Sequence, residues 1–284
     1  MKVGWIGLGA MGGPMAGHLL AAGLLAGAWN RGEARRAAFA EQYPHAPRAA
    51  SPEALAGAVD VLALCVSADA DLAAVLDRVE SHLAPGSIVA DHSTVSPAAA
   101  RAAAERLASR DVAFVDAPVT GGVEGAKNGQ LAIMAGGDAA AFERLAPVFA
   151  AYGKVWRHLG PAGSGQSAKA VNQLIVAGIA EAVCEGLALV EKLDLPQDAM
   201  LELLGGGAAG NWFLDKRGRT MLDDAFETGF DPALLLKDLK ICSALAEETG
   251  FTSTVLPGAL ADYQRLIDAG QTGRDISSLI RIKR

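Results

Sequence analysis

Three observations predict an α/β fold in which a doubly wound, mainly parallel sheet is followed by an all-α domain. Short β-rich runs alternate with helical stretches through the first part of the chain, glycines turn the first run into the first helix, and no convincing strand follows Gly163. The runs are 3–6, 24–29, 61–66, 87–90, 112–115 and 131–134, with a further candidate at 155–159. Segments between them, such as 98–108 and 139–150, are Ala-rich with charges on one side, as helices covering a sheet should be. Beyond Gly163, residues 167–192 form one long apolar helical stretch, and helical patterns follow at 197–204, 212–222, 233–249 and 257–269. The glycine-rich Gly160-Pro161-Ala162-Gly163-Ser164-Gly165 marks the boundary, giving domains 1–162 and 163–284.

Composition bounds the function. With 284 residues, 51% hydrophobic and 20% charged, the chain can bury two cores. A net charge of −7 gives no overall attraction to nucleic acid or to anionic membranes, so an anionic ligand must be held by local donors. Cys65, Cys184 and Cys242 lie in apolar stretches without CxxC or Cys/His spacing; buried, reduced thiols in a cytoplasmic protein are expected, and no metal site. Residues 3–28 carry no Lys, Arg, Asp or Glu and follow Lys2, which resembles a signal or membrane helix. Eight glycines and Pro14 in that stretch argue against it, since glycine costs a helix about 1 kcal/mol and proline about 3.

The first turn is the most informative. Gly7-Leu8-Gly9-Ala10-Met11-Gly12 follows the apolar run 3–6 and leads into a helical stretch, with a second apolar run after it. In this βαβ context Gly7 permits the tight turn, Gly9 removes the side chain that would block a pyrophosphate, and Gly12 lets the helix pack closely on its strand. The helix N-terminus then offers unpaired N–H groups to the phosphates. These are the marks of a dinucleotide-binding domain of Rossmann type. At the end of the second run, where NAD-binding folds place an acid on the ribose hydroxyls, stand Asn30 and Arg31. Asn30 removes a charge that would repel a 2′-phosphate and Arg31, with Arg35 or Arg36, can bind it, so NADP is expected over NAD. The alternative is a solvated arginine opening a surface helix.

Three further segments carry chemistry. Lys169, Asn172 and Gln173 share one helix face just after the glycines of the domain boundary. Flanked by Ala168, Ala170 and Val171, Lys169 suits a cleft; the alternative is a lysine whose stem crosses apolar surface to reach water. Asp116-Ala117-Pro118-Val119-Thr120-Gly121-Gly122 follows the fifth run, at the sheet edge where ligands of doubly wound folds gather. Thr120, Gly121 and Gly122 can offer successive N–H groups and a hydroxyl to an anion, or serve only as a turn. Asp91-His92-Ser93-Thr94 ends the fourth run in the same way. His18, His45, His82, His92 and His158 are scattered, and only His92 lies near these segments. The stretch 205–213 either lines a pocket with Trp212 or Phe213 or is a flexible connector.

Taken together, four ordered motifs resemble the β-hydroxyacid dehydrogenase family: Gly7-x-Gly9-x-x-Gly12, Asp91-x-Ser93-Thr94, the segment 116–122, and Gly163-x-Gly165-x-x-x-Lys169-x-x-Asn172. Leu235-Leu236-Lys237-Asp238-Leu239 is a fifth match. The resemblance implies an oxidoreductase in which Lys169 is the acid/base, Asn172 orients it and the substrate, and Thr120, Gly121 and Gly122 hold a substrate carboxylate. It also implies that Lys237 closes the site beside the cofactor and that Thr94 approaches the nicotinamide ribose. Free lysine has a pKa of about 10.4, and an apolar wall, Lys237 and the cationic oxidised nicotinamide would lower it. Val66-Ser67, in the cofactor cover, departs from the proline many relatives carry, and Thr120 replaces a commoner serine. The implied substrate is a short β-hydroxy acid such as 3-hydroxyisobutyrate, with glyoxylate, succinic semialdehyde or tartronate semialdehyde reduction as alternatives. An imine reductase of the same fold would lack Lys169, and a non-catalytic NADP-sensing module would need neither Lys169 nor Asn172. The long apolar helix points to a homodimer or homotetramer.

Overall fold

The computed structural model describes residues 1–227 and 229–284, which divide into two compact units, Met1–Lys169 and Ala170–Arg284. The first unit opens with β1 (Val3–Ile6), α1 (Gly12–Ala21), β2 (Leu25–Trp29), α2 (Glu33–Gln42), α3 (Pro52–Ala56) and β3 (Val61–Leu64). It continues through α4 (Asp69–Val79), β4 (Ile88–Asp91), α5 (Pro97–Ala108), β5 (Ala113–Asp116) and β6 (Val119–Thr120). Then come α6 (Gly122–Lys127), β7 (Leu131–Gly137), α7 (Ala139–Arg144), α8 (Ala146–Tyr152), β8 (Gly153–His158) and the start of α9 (Ser164–Lys192). The division falls after Lys169, inside α9, whereas the last strand ends at His158; the expected boundary after Ala162 lies between the two.

The strands form one sheet in the order β2-β1-β3-β4-β5-β7-β6, with β8 on β7. Strands β1 to β5 are parallel, β7 runs antiparallel to β5 and β6, and β8 is parallel to β7. Each expected run forms a strand, shifted at its ends by up to three residues; β6 was not expected. Alternate side chains enter different cores: Val61, Ala63, Ile88 and Ala90 pack with Trp5, Met15 and Leu19, whereas Leu62, Leu64 and Val89 pack with Leu72, Leu76 and Leu107. Both faces of the sheet are therefore covered, which is why its central strands read as continuous apolar runs. Helix α5 starts where Ser96 accepts the Ala99 N–H and Pro97 occupies the first turn.

The second unit holds the rest of α9, then α10 (Gln197–Gly206), α11 (Trp212–Leu222), α12 (Pro232–Thr249), α13 (Leu256–Asp268) and α14 (Ile280–Lys283), with a short 3₁₀ turn at Ile276–Leu279. Asn211 and Asp231 cap α11 and α12, and Gly250 at φ 68° closes α12. Helix α9 is long and apolar enough to cross a membrane by length and composition. Its Ala177, Ala180, Cys184 and Leu187 instead form the core of this unit with Leu235, Leu239, Tyr263 and Leu266.

One polar group lies in the middle of the first core. The His92 ring stacks on Trp5 at 5.5 Å, with Nδ1 2.8 Å from the Ala117 carbonyl and Nε2 2.8 Å from the Tyr152 hydroxyl. A carbonyl only accepts, so Nδ1–H donates to Ala117 and Nε2 accepts from Tyr152, which fixes a neutral tautomer. Burial lowers the His92 pKa from 6.5 to about 4. Between those values the unfolded chain takes up a proton that the folded chain refuses, so stability conferred by neutral His92 is present above pH 6.5 and lost as pH falls toward 4. This group alone should cost about 3 kcal/mol over that interval. In urea denaturation, the stability gap between wild type and His92→Gln should narrow as pH is lowered from 6.5 to 4; a gap constant with pH would contradict the assignment.

Candidate active site

The glycine turn is held from several sides. A Cβ on Gly7, at φ 102°, would lie 2.1 Å from the Cys65 carbonyl oxygen, and one on Gly12 would lie 1.9 Å from the Gly7 carbonyl oxygen, so neither position admits a side chain. Trp5 Nε1 donates to that same Gly7 carbonyl at 2.9 Å. A Cβ on Gly9 would meet nothing within 4 Å. The first and third glycines are thus fixed by the protein itself, and the second faces open space where a dinucleotide pyrophosphate fits. Around it Leu8 is buried, Gly9 and Met11 are half-buried and Ala10 is exposed.

Asn30 ties β2 to this turn. Its Oδ1 accepts the Leu8 N–H at 2.9 Å and its Nδ2 donates to the Gly32 carbonyl at 3.1 Å. An aspartate could make the first bond but not the second, so hydrogen bonding as well as charge selects the amide. Arg36 donates to the Asn30 carbonyl at 2.8 Å, and exposed Arg31 pairs with Asp71 at 3.0 Å. At the end of β3, the Val66 N–H donates to Ser93 Oγ at 2.8 Å, and Ser93 Oγ donates to Asp91 Oδ1 at 2.5 Å. Ser67 is exposed and Thr94 half-buried on the same edge of the sheet.

At the end of β5, buried Asp116 directs both oxygens at the start of α9. Oδ1 accepts the Gly163 N–H at 2.8 Å and Oδ2 the Gln166 N–H at 2.9 Å. Burial pushes the Asp116 carboxyl up, while the Gly163, Gln166 and Gly165 N–H groups pull it back down. Gln166 completes the joint: its Oε1 accepts the Val95 N–H at 3.1 Å and its Nε2 donates to the Ser93 carbonyl at 2.8 Å. Helix α9 then carries Lys169, 7% exposed, whose Nζ donates to the Val119 carbonyl at 2.8 Å. Its ammonium is therefore turned onto a backbone carbonyl inside the protein rather than out into water. Thr120, Gly121 and Gly122 follow Val119 directly, with Gly121 at φ 127° preceding α6. A helix leaves its first N–H groups without backbone acceptors, so Gly122 and Val123 present donors there.

In the helical unit, Asn172 Nδ2 donates to Gln173 Oε1 at 2.7 Å, and Gln173 Nε2 donates to Asp238 Oδ2 at 2.6 Å. Lys237 Nζ lies 3.0 Å from Asp238 Oδ1. Gln173 and Asp238 are both buried, so they fix the two candidate residues on either side of them. Sequence reasoning placed Asp116 and Asp238 inside motifs without assigning their bonds, and it missed Gln166 and Asp71. The signal for Gln166 was its position between Gly165 and Lys169. Among the described residues, no group of three or more His, Cys, Asp or Glu is placed to hold a metal. Burial pushes the Cys65 thiol up to about 12 and Cys242 to about 11, which keeps both protonated at neutral pH.

Comparison with known proteins agrees with this geometry. Residues 2–160 match the NAD binding domain of 6-phosphogluconate dehydrogenase, and residues 163–283 match the NAD-binding domain of NADP-dependent 3-hydroxyisobutyrate dehydrogenase. The chain is 36% identical to a probable 3-hydroxyisobutyrate dehydrogenase-like protein of Arabidopsis thaliana, over 93% of this chain and 78% of the relative. It is 32% identical to an NAD-dependent L-serine dehydrogenase of Pseudomonas aeruginosa, over 97% and 95%. The crystal structure of 3-hydroxyisobutyrate dehydrogenase from Salmonella typhimurium superposes with a TM-score of 0.90 at 31% identity, covering 99% of both chains.

The two kinds of glycine should separate experimentally. Gly12→Ala should lose about 1–3 kcal/mol of folding stability or more through overpacking. Gly9→Ala should keep the wild-type melting temperature yet bind NADPH about tenfold more weakly or worse. Thermal denaturation alongside NADPH fluorescence titration checks both; unchanged NADPH affinity in Gly9→Ala would place the cofactor elsewhere.

Proposed function

The chain belongs to the β-hydroxyacid dehydrogenase family of NAD(P)-dependent oxidoreductases, and we propose that it prefers NADP(H) and acts on a short β-hydroxy acid such as 3-hydroxyisobutyrate. The observation that carries this reading is the buried Lys169 ammonium on the Val119 carbonyl, one residue before Thr120 and the N–H donors that follow it.

The nicotinamide, when bound, accepts or supplies hydride at C4. Lys169 does the proton work: in oxidation its neutral amine takes the hydroxyl proton of the substrate, and in reduction its ammonium donates that proton to the forming alkoxide. The Val119 carbonyl accepts one of the ammonium's hydrogens and so fixes the direction in which the amine points. General acid/base catalysis of this kind contributes about 10²- to 10⁴-fold. The Thr120 hydroxyl with the Gly121 and Gly122 N–H groups holds the substrate carboxylate, supplying local donors that the net charge of −7 does not. Asn30 and Arg31 support the NADP preference: Asn30 adds no negative charge at the end of β2, and Arg31 supplies donors for a 2′-phosphate. In the helical unit, the family resemblance assigns Asn172 to orienting and Lys237 to binding, and Gln173 and Asp238 hold them. Exposed Val171, Ile175 and Leu189 along α9, with Leu193 just after it, support a homodimer or homotetramer.

A turnover panel tests the reading. NADP(H) and NAD(H) are assayed with 3-hydroxyisobutyrate, L-serine, glyoxylate, succinic semialdehyde and tartronate semialdehyde, together with the methyl ester of 3-hydroxyisobutyrate. The acid should exceed its ester in kcat/KM by at least about tenfold. Thr120 is half-buried and Gly121 and Gly122 are exposed, so the difference comes from the charge: hydrogen bonds to a carboxylate are worth about 1.5–3 kcal/mol each and those to a neutral ester about 1. Comparable values for acid and ester would remove the carboxylate from the proposal, and higher kcat/KM with NAD(H) would reverse the cofactor preference.

A further inference from the structure

Arg31, the proposed partner of the adenosine 2′-phosphate, already has a carboxylate partner. Its Nη1 donates to Asp71 Oδ1 at 3.0 Å, 40 residues along the chain. Arg31 follows β2 and Asp71 stands in the first turn of α4, which follows β3. Because β2 and β3 flank β1 in the parallel sheet, the pair spans the edge from which the glycine turn departs. The other acid of that turn of α4 is engaged elsewhere: Asp69 accepts the Ser96 N–H at 2.9 Å and the Ser96 hydroxyl at 2.6 Å. Arg36 lies against Trp29 and donates to the Asn30 carbonyl, so Arg31 and Asp71 face each other directly.

We propose that Asp71 sets how strongly this enzyme discriminates NADP(H) from NAD(H), by competing with the 2′-phosphate for Arg31. The inference rests on the reading of Arg31 given above. The side chain of Arg31 is 82% exposed and that of Asp71 27%, so the pair itself adds little to folding stability. Its effect falls on binding. A 2′-phosphate carries more than one negative charge near pH 7, and a phosphate on the same guanidinium lies close to the Asp71 carboxylate. Binding must then either break the ion pair or hold two like charges on one cation. A dinucleotide without the phosphate meets neither cost. Asp71 therefore weakens NADP(H) selectively and keeps NAD(H) usable, and Arg31 alone would discriminate more sharply.

The test uses ligands that lack nicotinamide, so that it reads the subsite and not turnover. Adenosine 2′,5′-bisphosphate and 5′-AMP are titrated calorimetrically into the full-length wild type, Asp71→Asn, Arg31→Ala and the double variant, with NADP⁺ and NAD⁺ as full-length controls. Asp71→Asn should bind the bisphosphate and NADP⁺ about three- to tenfold more tightly, while 5′-AMP and NAD⁺ stay within about twofold. The gain should shrink as salt rises, and it should vanish in the Arg31→Ala background. Unchanged or weaker bisphosphate affinity in Asp71→Asn, with Arg31→Ala still lowering it, would overturn the role of Asp71 alone. If Arg31→Ala leaves the bisphosphate affinity untouched, the reading of Arg31 fails and the proposal fails with it.

Discussion

Asp116 joins two parts of the first unit that are 47 to 50 residues apart in the chain. Its carboxylate, at the end of β5, accepts N–H groups from the first turn of α9, and hydrogen bonds to a charged group are worth about 1.5–3 kcal/mol each. The same turn has no room for a larger residue at Gly165, where a Cβ would lie 2.5 Å from the Met134 carbonyl oxygen and 2.7 Å from that of Asp116. With the helix pinned at its start, the turn that carries Lys169 is set in register. Successive residues turn by about 100° around a helix, so shifting α9 by one residue would swing Lys169 away from Val119. The position of the proposed acid/base thus depends on a buried carboxylate committed to backbone N–H groups.

A second constraint shapes the cofactor end. Gly7 and Gly12 bring the turn and α1 so close that backbone meets backbone, and Trp5 and Asn30 hydrogen-bond the turn from beneath and beside. Trp5 also stacks on His92, which donates to Ala117 in the connection between β5 and β6 that leads to Thr120. The glycine turn and the segment leading to Thr120 are therefore braced by one buried aromatic cluster. Such a fixed frame lets residues around it, exposed Arg31 and half-buried Asp71 among them, differ in charge without disturbing the backbone of the turn.

What the sequence made legible was whatever is encoded locally. The glycine turn lies in one short stretch with fixed spacing and formed where it was expected, Lys169 and Asn172 fall on one helix, and the chain after His158 is helical. Strand β6 was not foreseen because two residues after Pro118 cannot display an alternating pattern. Helix α9 was expected to begin near Gly163, with its long apolar stretch from residue 167; it starts at Ser164, with Gly165 inside it for reasons of clearance. The bonds of Asp116 to Gly163, Gln166 to Val95, Gln173 to Asp238 and Arg31 to Asp71 join distant positions through ordinary polar residues. No spacing rule announces such pairs. Asn30 was read as a missing charge, and its two hydrogen bonds became visible only once the turn had a shape.

The most direct measurement is single-turnover kinetics of Lys169→Ala with and without an added primary amine. The account predicts NADPH affinity close to wild type, turnover reduced at least about 100-fold, and a rate that rises with methylamine concentration as the free amine takes over proton transfer. Near-wild-type turnover by a folded Lys169→Ala protein in amine-free buffer would contradict it.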